Sequence, residues 1–308
     1  MALMTIADIP NEVLTVYSRD ALFEAMPMMY FRNFCAFKQE LGAEPGETVQ
    51  FLKIANLAPG GMLPSETSPI PKQKYSDSIV SIQVHEYGNA VQMSKRALEA
   101  SFRNMMQDAA TLLGRDYGLT VDRVCRDAFL STGNKQYMTS SAGDGKPADG
   151  EGTTIGQVNG TFSAYAIKNA IETLKTNDAS MVVRGGDQFY VCAAHPHQIR
   201  SLRDDSDWLN AVRYGNPQLL YNGEVGRFEN VIFLETTQMP ILAGAGKGGA
   251  NVYRAVVWGS EPAGFAETVP FGLVNDGVED FGRLVSIGWY SIFGAGIIQD
   301  FIVEIDTL

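Results

Sequence analysis

Two histidines and three nearby aspartates are the first candidates for chemistry in this chain. His195 and His197 precede Asp204, Asp205 and Asp207. Imidazole and carboxylate groups are ordinary metal ligands, but histidines two positions apart at a helix start point to different faces. The aspartates lack the glycine and the bidentate glutamate of a calcium loop. We therefore predict a structural or solvated role for the histidines, a solvated helix end for the aspartates, and no metal.

The segment from Gly244 to Gly249 has the spacing Gly-x-Gly-x-x-Gly. Such a loop binds a phosphate when it opens a helix, whose free N–H groups face the anion. Here residues 252–258 follow, and they have the pattern of a strand. Lys247 is followed by Gly248, where a Walker loop needs Ser or Thr. We therefore predict a flexible surface loop and no nucleotide site.

No other motif predicts catalysis. Asp280-Phe-Gly282 matches a kinase tripeptide, but no catalytic-loop or lysine-strand partner accompanies it. The chain has three histidines and no Gly-x-Ser-x-Gly, so no nucleophile and base can be paired. We predict that the protein is not an enzyme and needs no cofactor.

The composition indicates which partners the protein can bind and in which redox environment it folds. The chain has 24 Lys and Arg against 35 Asp and Glu, a net charge of -11, which repels phosphate and disfavours sequence-specific nucleic-acid binding. Cys35, Cys125 and Cys192 are odd in number and scattered. This favours a reducing, intracellular folding site over a disulfide framework.

A long hairpin is the most distinctive element that the pattern predicts. Two strand-like segments, 48–55 and 78–93, flank a tip with four prolines and two glycines. Prolines remove ladder donors, and hairpin loops of this length are normally functional or disordered. We predict a projecting arm that lies on a neighbouring copy of the chain. The tip residues expected at that contact are Met62, Leu63, Glu66, Ile70, Lys72 and Lys74.

The alternation in residues 78–93 changes parity, from Ile82 and Val84 to Tyr87 and Val91. This predicts a bulge or strong twist near Gly88, where one strand serves two packing environments. Residues 1–44 are rich in Met and Phe. They predict either a helix and strand packed on the body or an arm packed on a neighbouring subunit.

A long helix is predicted over residues 104–130, because apolar residues recur there every three or four positions. At about 1.5 Å per residue it is a rod of roughly 40 Å. Gly114 and Gly118 lie one turn apart and predict close approach of another backbone. Asp122–Arg126 and Arg123–Asp127 are predicted as ion pairs on the exposed side.

The rest of the chain predicts an α+β fold. Residues 131–160 are expected to form a loop without core, followed by a helix capped at Thr161 or Ser163. The other predictions are strands 189–194 and 231–234, a helix from 196 to about 204, a central strand 252–258, and strands 284–292 and 297–305 joined through Gly294-Ala-Gly296.

Three segments together resemble a known family. They are Tyr87-Gly-Asn-Ala-Val-Gln-Met-Ser94, Tyr190-Val-Cys-Ala-Ala-His-Pro196 and Gly223-Glu-Val-Gly-Arg-Phe-Glu-Asn-Val-Ile-Phe-Leu-Glu-Thr236. With the hairpin and the long helix, they are similar to major capsid proteins of tailed bacteriophages, and more narrowly to the coat-protein family typified by coliphage N-four.

The resemblance implies a Hong Kong 97-type capsid fold. Its parts would be an N-terminal arm (1–45), an extended loop (46–92), a peripheral domain with a spine helix (93–160 and 256–308) and an axial domain (161–255). It implies a virion shell of hexamers and pentamers around double-stranded DNA, folded and assembled in the host bacterial cytoplasm. Portal, decoration and separate scaffolding proteins are the implied partners, with no cofactor, metal or membrane.

Two other functions compete with a virion shell. A cellular compartment of the same fold, similar to encapsulins, would enclose an enzyme cargo. A soluble α/β enzyme would use the glycine loop at 244–249.

Overall fold

The structure is a computed structural model that describes residues 29–39, 48–54, 57, 59, 62, 70, 72–74, 76–101, 104–205, 208, 227–280 and 283–308. The N-terminal residues 1–28 and most of the hairpin tip therefore lie outside the described part of the chain. Whether residues 1–28 pack on the body or on a neighbouring subunit therefore stays a prediction.

The elements are numbered along the chain. The helices are α1 (Lys95–Ala100), α2 (Met105–Leu130), α3 (Ala164–Thr176) and α4 (Pro196–Arg203). The first strands are β1 (Ala36–Gln39), β2 (Thr48–Ile54), β3 (Asp77–Gln83), β4 (His85–Ser94), β5 (Lys135–Thr139), β6 (Lys146–Pro147), β7 (Gly150–Gly152), β8 (Gly160–Thr161) and β9 (Val182–Arg184). The remaining strands are β10 (Asp187–Ala194), β11 (Arg227–Phe228), β12 (Val231–Glu235), β13 (Ile241–Leu242), β14 (Val252–Trp258), β15 (Ala263–Glu279), β16 (Leu284–Ile297) and β17 (Ile302–Thr307).

The first large sheet has four strands in the order β1-β15-β16-β4, and α2 packs across it. The helix begins as predicted, because the side chain of Asn104 accepts the backbone N–H of Gln107 at 3.4 Å. Its buried side chains contact the sheet through Tyr117, whose ring centroid lies 5.3 Å from that of Trp289. This packing fixes the long helix, a rod of about 39 Å, on one face of the sheet.

The second large sheet follows the order β11-β12-β10-β14-β17-β5-β7, with β9 and β13 attached at its sides. β14 lies in the middle, as its apolar sequence predicted. Helices α3 and α4 bury their apolar residues on one face of this sheet, around Tyr190, Cys192 and Val257. The other face joins the core of the first sheet through Val256 and Trp258. Strands from both sides of the predicted domain boundaries enter this sheet, and the boundaries themselves stay a prediction.

The prediction of a coreless loop over residues 131–160 was wrong. β5 pairs in parallel with β17, and Met138 and Val158 are fully buried. The strand is short and surrounded by Gly, Ser and Asp, so local composition concealed its alternating burial.

The prediction of a turn at Gly294-Ala-Gly296 was also wrong, because these residues lie inside β16 and pair with β15. The chain leaves β16 after Ile297, and β17 belongs to the other sheet. β15, which has 17 residues, was not predicted as a strand. Among the described helices, none is long and apolar enough to span a membrane.

Candidate assembly surfaces

The predicted hairpin is present as a two-stranded ladder of β2 and β3. It runs from Thr48 opposite Gln83 to Ile54 opposite Asp77, without a register shift. Its inner face buries Val49 and Ile82 against Ala266 of β15. The base of the hairpin is therefore fixed on the first sheet by apolar packing.

Three glycines of that sheet form the seat of the hairpin. Gly264 and Gly296 are cross-strand partners, and a Cβ at either would meet the side chain of Ile82, at 3.0 and 3.2 Å. A Cβ at Gly294 would lie 2.0 Å from the carbonyl oxygen of Gln83. The three positions lack side chains because the hairpin backbone and Ile82 occupy that space.

One continuous stretch of chain serves two sheets, as the parity change predicted, but the switch is not at Gly88. β3 ends at Gln83 and β4 begins at His85, and β4 then pairs with β16 in unbroken register. Gly88 is instead needed for close packing, since a Cβ there would lie 2.8 Å from the carbonyl oxygen of Trp289. The predicted bulge near Gly88 was wrong.

The outer face of the hairpin carries an exposed apolar pair among polar residues. Leu52 and Ile79 are direct cross-strand partners and are 62% and 58% exposed. At the tip, Met62 is 97% exposed and Ile70 is 74% exposed. The inner face of the ladder packs against its own chain. The exposed apolar side chains on the outer face are available for contact with another molecule.

The polar tip residues add little to this geometry. Lys72 and Lys74 are exposed. Leu63 and Glu66, the other two residues predicted at the contact, lie outside the described residues. The predicted tip contact with a neighbouring copy therefore stays a prediction.

The spine helix α2 buries both predicted glycines, Gly114 and Gly118, on the face that carries Leu113 and Tyr117. Their burial is consistent with a side of the helix that has no room for larger side chains. Their role in contacts between subunits stays a prediction.

The prediction that Asp122 lies on the exposed side of α2 was wrong. Asp122 is fully buried, and its Oδ1 accepts the backbone N–H of Phe31 at 2.6 Å and that of Arg32 at 3.4 Å. Burial raises the pKa of the Asp122 carboxyl to about 6, against the lowering effect of these N–H donors. Its predicted partner Arg126 pairs with Asp127 instead, at 2.6 Å.

Phe31 explains this burial. Its ring is fully buried, with centroids 5.7 Å from Phe129 of α2 and 5.8 Å from Trp258 of β14. The segment that starts at Met29 thus enters the junction of the two large sheets. Asp122 satisfies the backbone donors that would otherwise be buried without a partner.

The neighbouring Arg32 is held by aromatic rings. Its guanidinium lies 5.0 Å from the ring centroid of Phe265 and 5.1 Å from that of Phe37. The buried Glu267 accepts the hydroxyl of Tyr117 at 3.3 Å, and burial raises the pKa of this carboxyl. A cavity of about 220 Å³ lies beside Arg32 and Glu267. These contacts hold Arg32 and its neighbouring residues against the first sheet.

His195 has the structural role that was one of the two predicted for the histidines. His195 caps α4: its backbone N–H bonds Gln198 Oε1 at 3.1 Å, and its Nδ1 accepts the N–H of His197 at 3.2 Å. The ring of His197 stacks on Tyr253, with centroids 4.5 Å apart. The prediction of a solvated helix end was wrong for Asp205, which is buried and accepts the backbone N–H of Ala164 at the start of α3. Within the described ranges, no group of three or more His, Cys, Asp or Glu could hold a metal.

The glycine loop is a short 3-10 turn, Lys247–Gly249, followed by the strand β14. Lys247 forms an ion pair with Asp144 at 2.9 Å, and its backbone N–H donates to Val158 at 3.0 Å. The predicted absence of a following helix is confirmed, so the loop lacks the helix N-terminus that a phosphate site requires.

A buried group of charges in the second sheet was missed by the sequence analysis. Glu304 and Asp306 of β17 are 0% and 1% exposed. Glu304 contacts Arg254 at 2.9 Å and Lys135 at 3.2 Å, and Asp306 lies 3.7 Å from Arg254. Burial and the Glu304 carboxylate raise the pKa of Asp306 to about 7. The two acidic residues in this mainly apolar strand were the sequence signal that could have predicted buried charges. Their basic partners lie opposite them, Arg254 on β14 and Lys135 on β5.

Comparison with known proteins agrees with the resemblance seen in the sequence. The capsid of Ralstonia phage GP4 matches with a TM-score of 0.67 and 17% identity, over 89% of this chain and 87% of that chain. The Cyanophage Pam1 capsid matches with a TM-score of 0.66 and 16% identity, over 92% and 91% of the chains. The acid-stable capsid of Helicobacter pylori bacteriophage KHP30 matches with a TM-score of 0.66 and 13% identity, over 93% and 90%.

These solved capsids have the Hong Kong 97-type fold, and the predicted fold class is confirmed. A comparison with curated protein sequences finds no match. The narrower similarity to coliphage N-four coat proteins stays a prediction. A family model described as phage capsid protein matches residues 78–303, which is most of the chain. Proteins of this family are structural and not enzymes. The chain belongs to the phage capsid protein family.

Proposed function

We propose that this phage major capsid protein forms hexamers and pentamers, and that these close an icosahedral head around double-stranded DNA. Each hairpin would lie across an adjacent subunit of the same shell. In this arrangement residues 1–45 are the arm, 46–92 the extended loop, 93–160 and 256–308 the peripheral domain, and 161–255 the axial domain.

The observation that carries the proposal is the exposed apolar pair on the outer face of a hairpin whose base is fixed. Ile82 packs on one side of the ladder into the glycine seat, while Leu52 and Ile79 remain exposed on the other. Covering exposed apolar surface contributes about 25 cal/mol per Å². A neighbouring copy is the partner that a homo-oligomeric shell supplies at every such face.

The acidic composition supports enclosure of DNA without binding to its sequence. A net charge of -11 gives little attraction for phosphate, so DNA could slide along the inner surface during filling. Assembly in the host cytoplasm, and the involvement of portal, decoration and separate scaffolding proteins, belong to the same proposal.

Electron microscopy of purified protein tests the role of the hairpin. Replacing residues 58–75 by an Asn-Gly turn should leave a folded subunit, by circular dichroism, that no longer closes shells. A length-preserving variant with Met62→Ser and Ile70→Ser separates loss of apolar contact from loss of reach. Shells of normal size in both variants would show that the tip is dispensable.

The contents of particles from infected cells separate a phage head from a cargo compartment. We expect nuclease-protected DNA of genome length. Particles filled with one host enzyme would indicate an encapsulin-like function instead, which the similarity to phage capsids does not favour.

A further inference from the structure

Two cysteines that are 90 positions apart in the sequence contact each other in the structure. Cys35 follows the short 3-10 turn Arg32–Phe34, and Cys125 lies in the C-terminal third of α2. Cys35 packs against the buried cluster that contains Cys125, and its thiol is close enough to raise the pKa of the Cys125 thiol. Both are free cysteines, Cys125 fully buried and Cys35 partly exposed.

The neighbouring contacts fix this pair from both sides. One turn before Cys125, Asp122 accepts the backbone N–H of Phe31 at 2.6 Å. One turn after Cys125, Phe129 contacts the ring of Phe31. The thiol of Cys35 also lies 3.5 Å from the carbonyl oxygen of Phe31, to which it donates. The segment from Phe31 to Cys35 therefore follows α2 over two turns, from Asp122 to Phe129.

We propose that Cys35 and Cys125 form a redox-controlled cross-link, which is reduced while the subunit folds and oxidised to a disulfide afterwards. The bond would tie the base of the N-terminal segment to the spine helix. It would also close a ring of chain that contains the whole hairpin, because residues 48–83 lie between the two cysteines. A cross-link over a long loop restricts the unfolded chain and so stabilises the folded one.

The oxidant is a small-molecule disulfide such as oxidised glutathione. The thiolate of the accessible Cys35 attacks one sulfur of the oxidant and releases one glutathione thiolate, giving a mixed disulfide. Cys125 then loses its proton and attacks the Cys35 sulfur, which releases the second glutathione. Two protein thiols and one glutathione disulfide thus become one protein disulfide and two glutathione thiols.

The order of attack follows from burial. Hydrogen bonding to Cys35 and burial raise the pKa of the Cys125 thiol well above its usual value. Cys125 is therefore a poor first nucleophile, whereas Cys35 is open to a solute. Where the oxidation takes place rests on the proposed function: a particle that leaves its host passes from a reducing to an oxidising environment.

Cys192 provides an internal comparison. It lies in β10, is fully buried, and has a pKa raised by burial without a contribution from another thiol. It should keep its thiol under conditions that oxidise the other two.

The test treats purified folded protein with oxidised glutathione, alkylates it in denaturant, and counts thiols by mass spectrometry. We expect two of the three thiols to be lost, a peptide pair joined through Cys35 and Cys125, and reversal by dithiothreitol. The melting temperature should rise on oxidation and fall again on reduction. Cys192→Ala should retain this response, and Cys35→Ala should abolish it.

The decisive thiol count is made on the unsubstituted protein, because Cys125→Ala could impair packing. Three alkylatable thiols after oxidation, or Cys35 found only in a glutathione adduct or a bond between subunits, would overturn the proposal. Electron microscopy of the same samples reports shell formation separately, so a failed cross-link is distinguishable from a failed capsid function.

Discussion

Gly294 of β16 lies directly against the backbone of Gln83, so that a Cβ at residue 294 would be 2.0 Å from the Gln83 carbonyl oxygen. The sheet and the hairpin meet here without any intervening side chain. Backbone atoms on both sides cannot move aside as a flexible side chain would. The position of the hairpin base is therefore sensitive to any side chain introduced at residue 294.

Gly294→Ala should therefore displace the base of the hairpin and destabilise the subunit by about 1–3 kcal/mol. Gly272→Ala is the matched control, because residue 272 lies in the paired strand and a Cβ there meets nothing within 4 Å. Urea denaturation of the two variants gives the comparison. Equal midpoints for both would show that the hairpin does not depend on the glycine seat.

Gly118→Leu should damage folding or assembly by overpacking the buried face of α2, at a cost of about 1–3 kcal/mol. Arg123→Leu places the same side chain at an exposed position of the same helix and should have little effect. Melting temperatures and electron microscopy measure the two consequences. An unchanged melting temperature together with normal shells for Gly118→Leu would mean that glycine is merely tolerated.

Leu52→Ser combined with Ile79→Ser removes the exposed apolar pair from the outer face of the hairpin. The subunit should unfold at nearly the same urea concentration, because both side chains are more than half exposed, while shell formation should be weakened. Val183→Ser, at a similarly exposed position on β9, tests whether any lost apolar surface has this effect. Normal assembly of the double variant would remove this face from the proposed contact.

Asp306 should make stability depend on pH. Its pKa is raised from 3.8 to about 7 in the folded protein, so between those values the folded chain holds a proton that the unfolded chain has lost. Stability contributed in this way is greatest at low pH and falls as pH rises towards 7, by at most about 1.4 kcal/mol per pH unit.

Asp306→Asn should flatten the dependence of the free energy of unfolding on pH between pH 5 and 7, measured by urea denaturation. Asp144→Asn is the control, because hydrogen bonds from Asn159 and Lys247 lower the pKa of Asp144 and place its titration below this window. The same slope in Asp306→Asn as in the unsubstituted protein would contradict the assignment.

Local pattern determined several elements of this fold. The 3.6-residue periodicity located α2 to within one residue, and a segment that is uncharged except for one arginine located β14 at the centre of its sheet. The proline-rich tip and the alternating flanks predicted the hairpin. These features depend on backbone propensity and on burial of one face, and both leave periodic signals in the chain.

Tertiary structure decided what depends on contacts distant in sequence. Asp122 has the spacing of an exposed ion pair, and its burial follows from a segment 91 residues away. Gly294 and Gly296 have the composition of a turn, and the hairpin that crosses them explains why they lie in a strand. Cys35 and Cys125 are unrelated in sequence and adjacent in space. Periodicity reports which face of an element is buried, whereas the identity of the covering residues is set by how the elements pack.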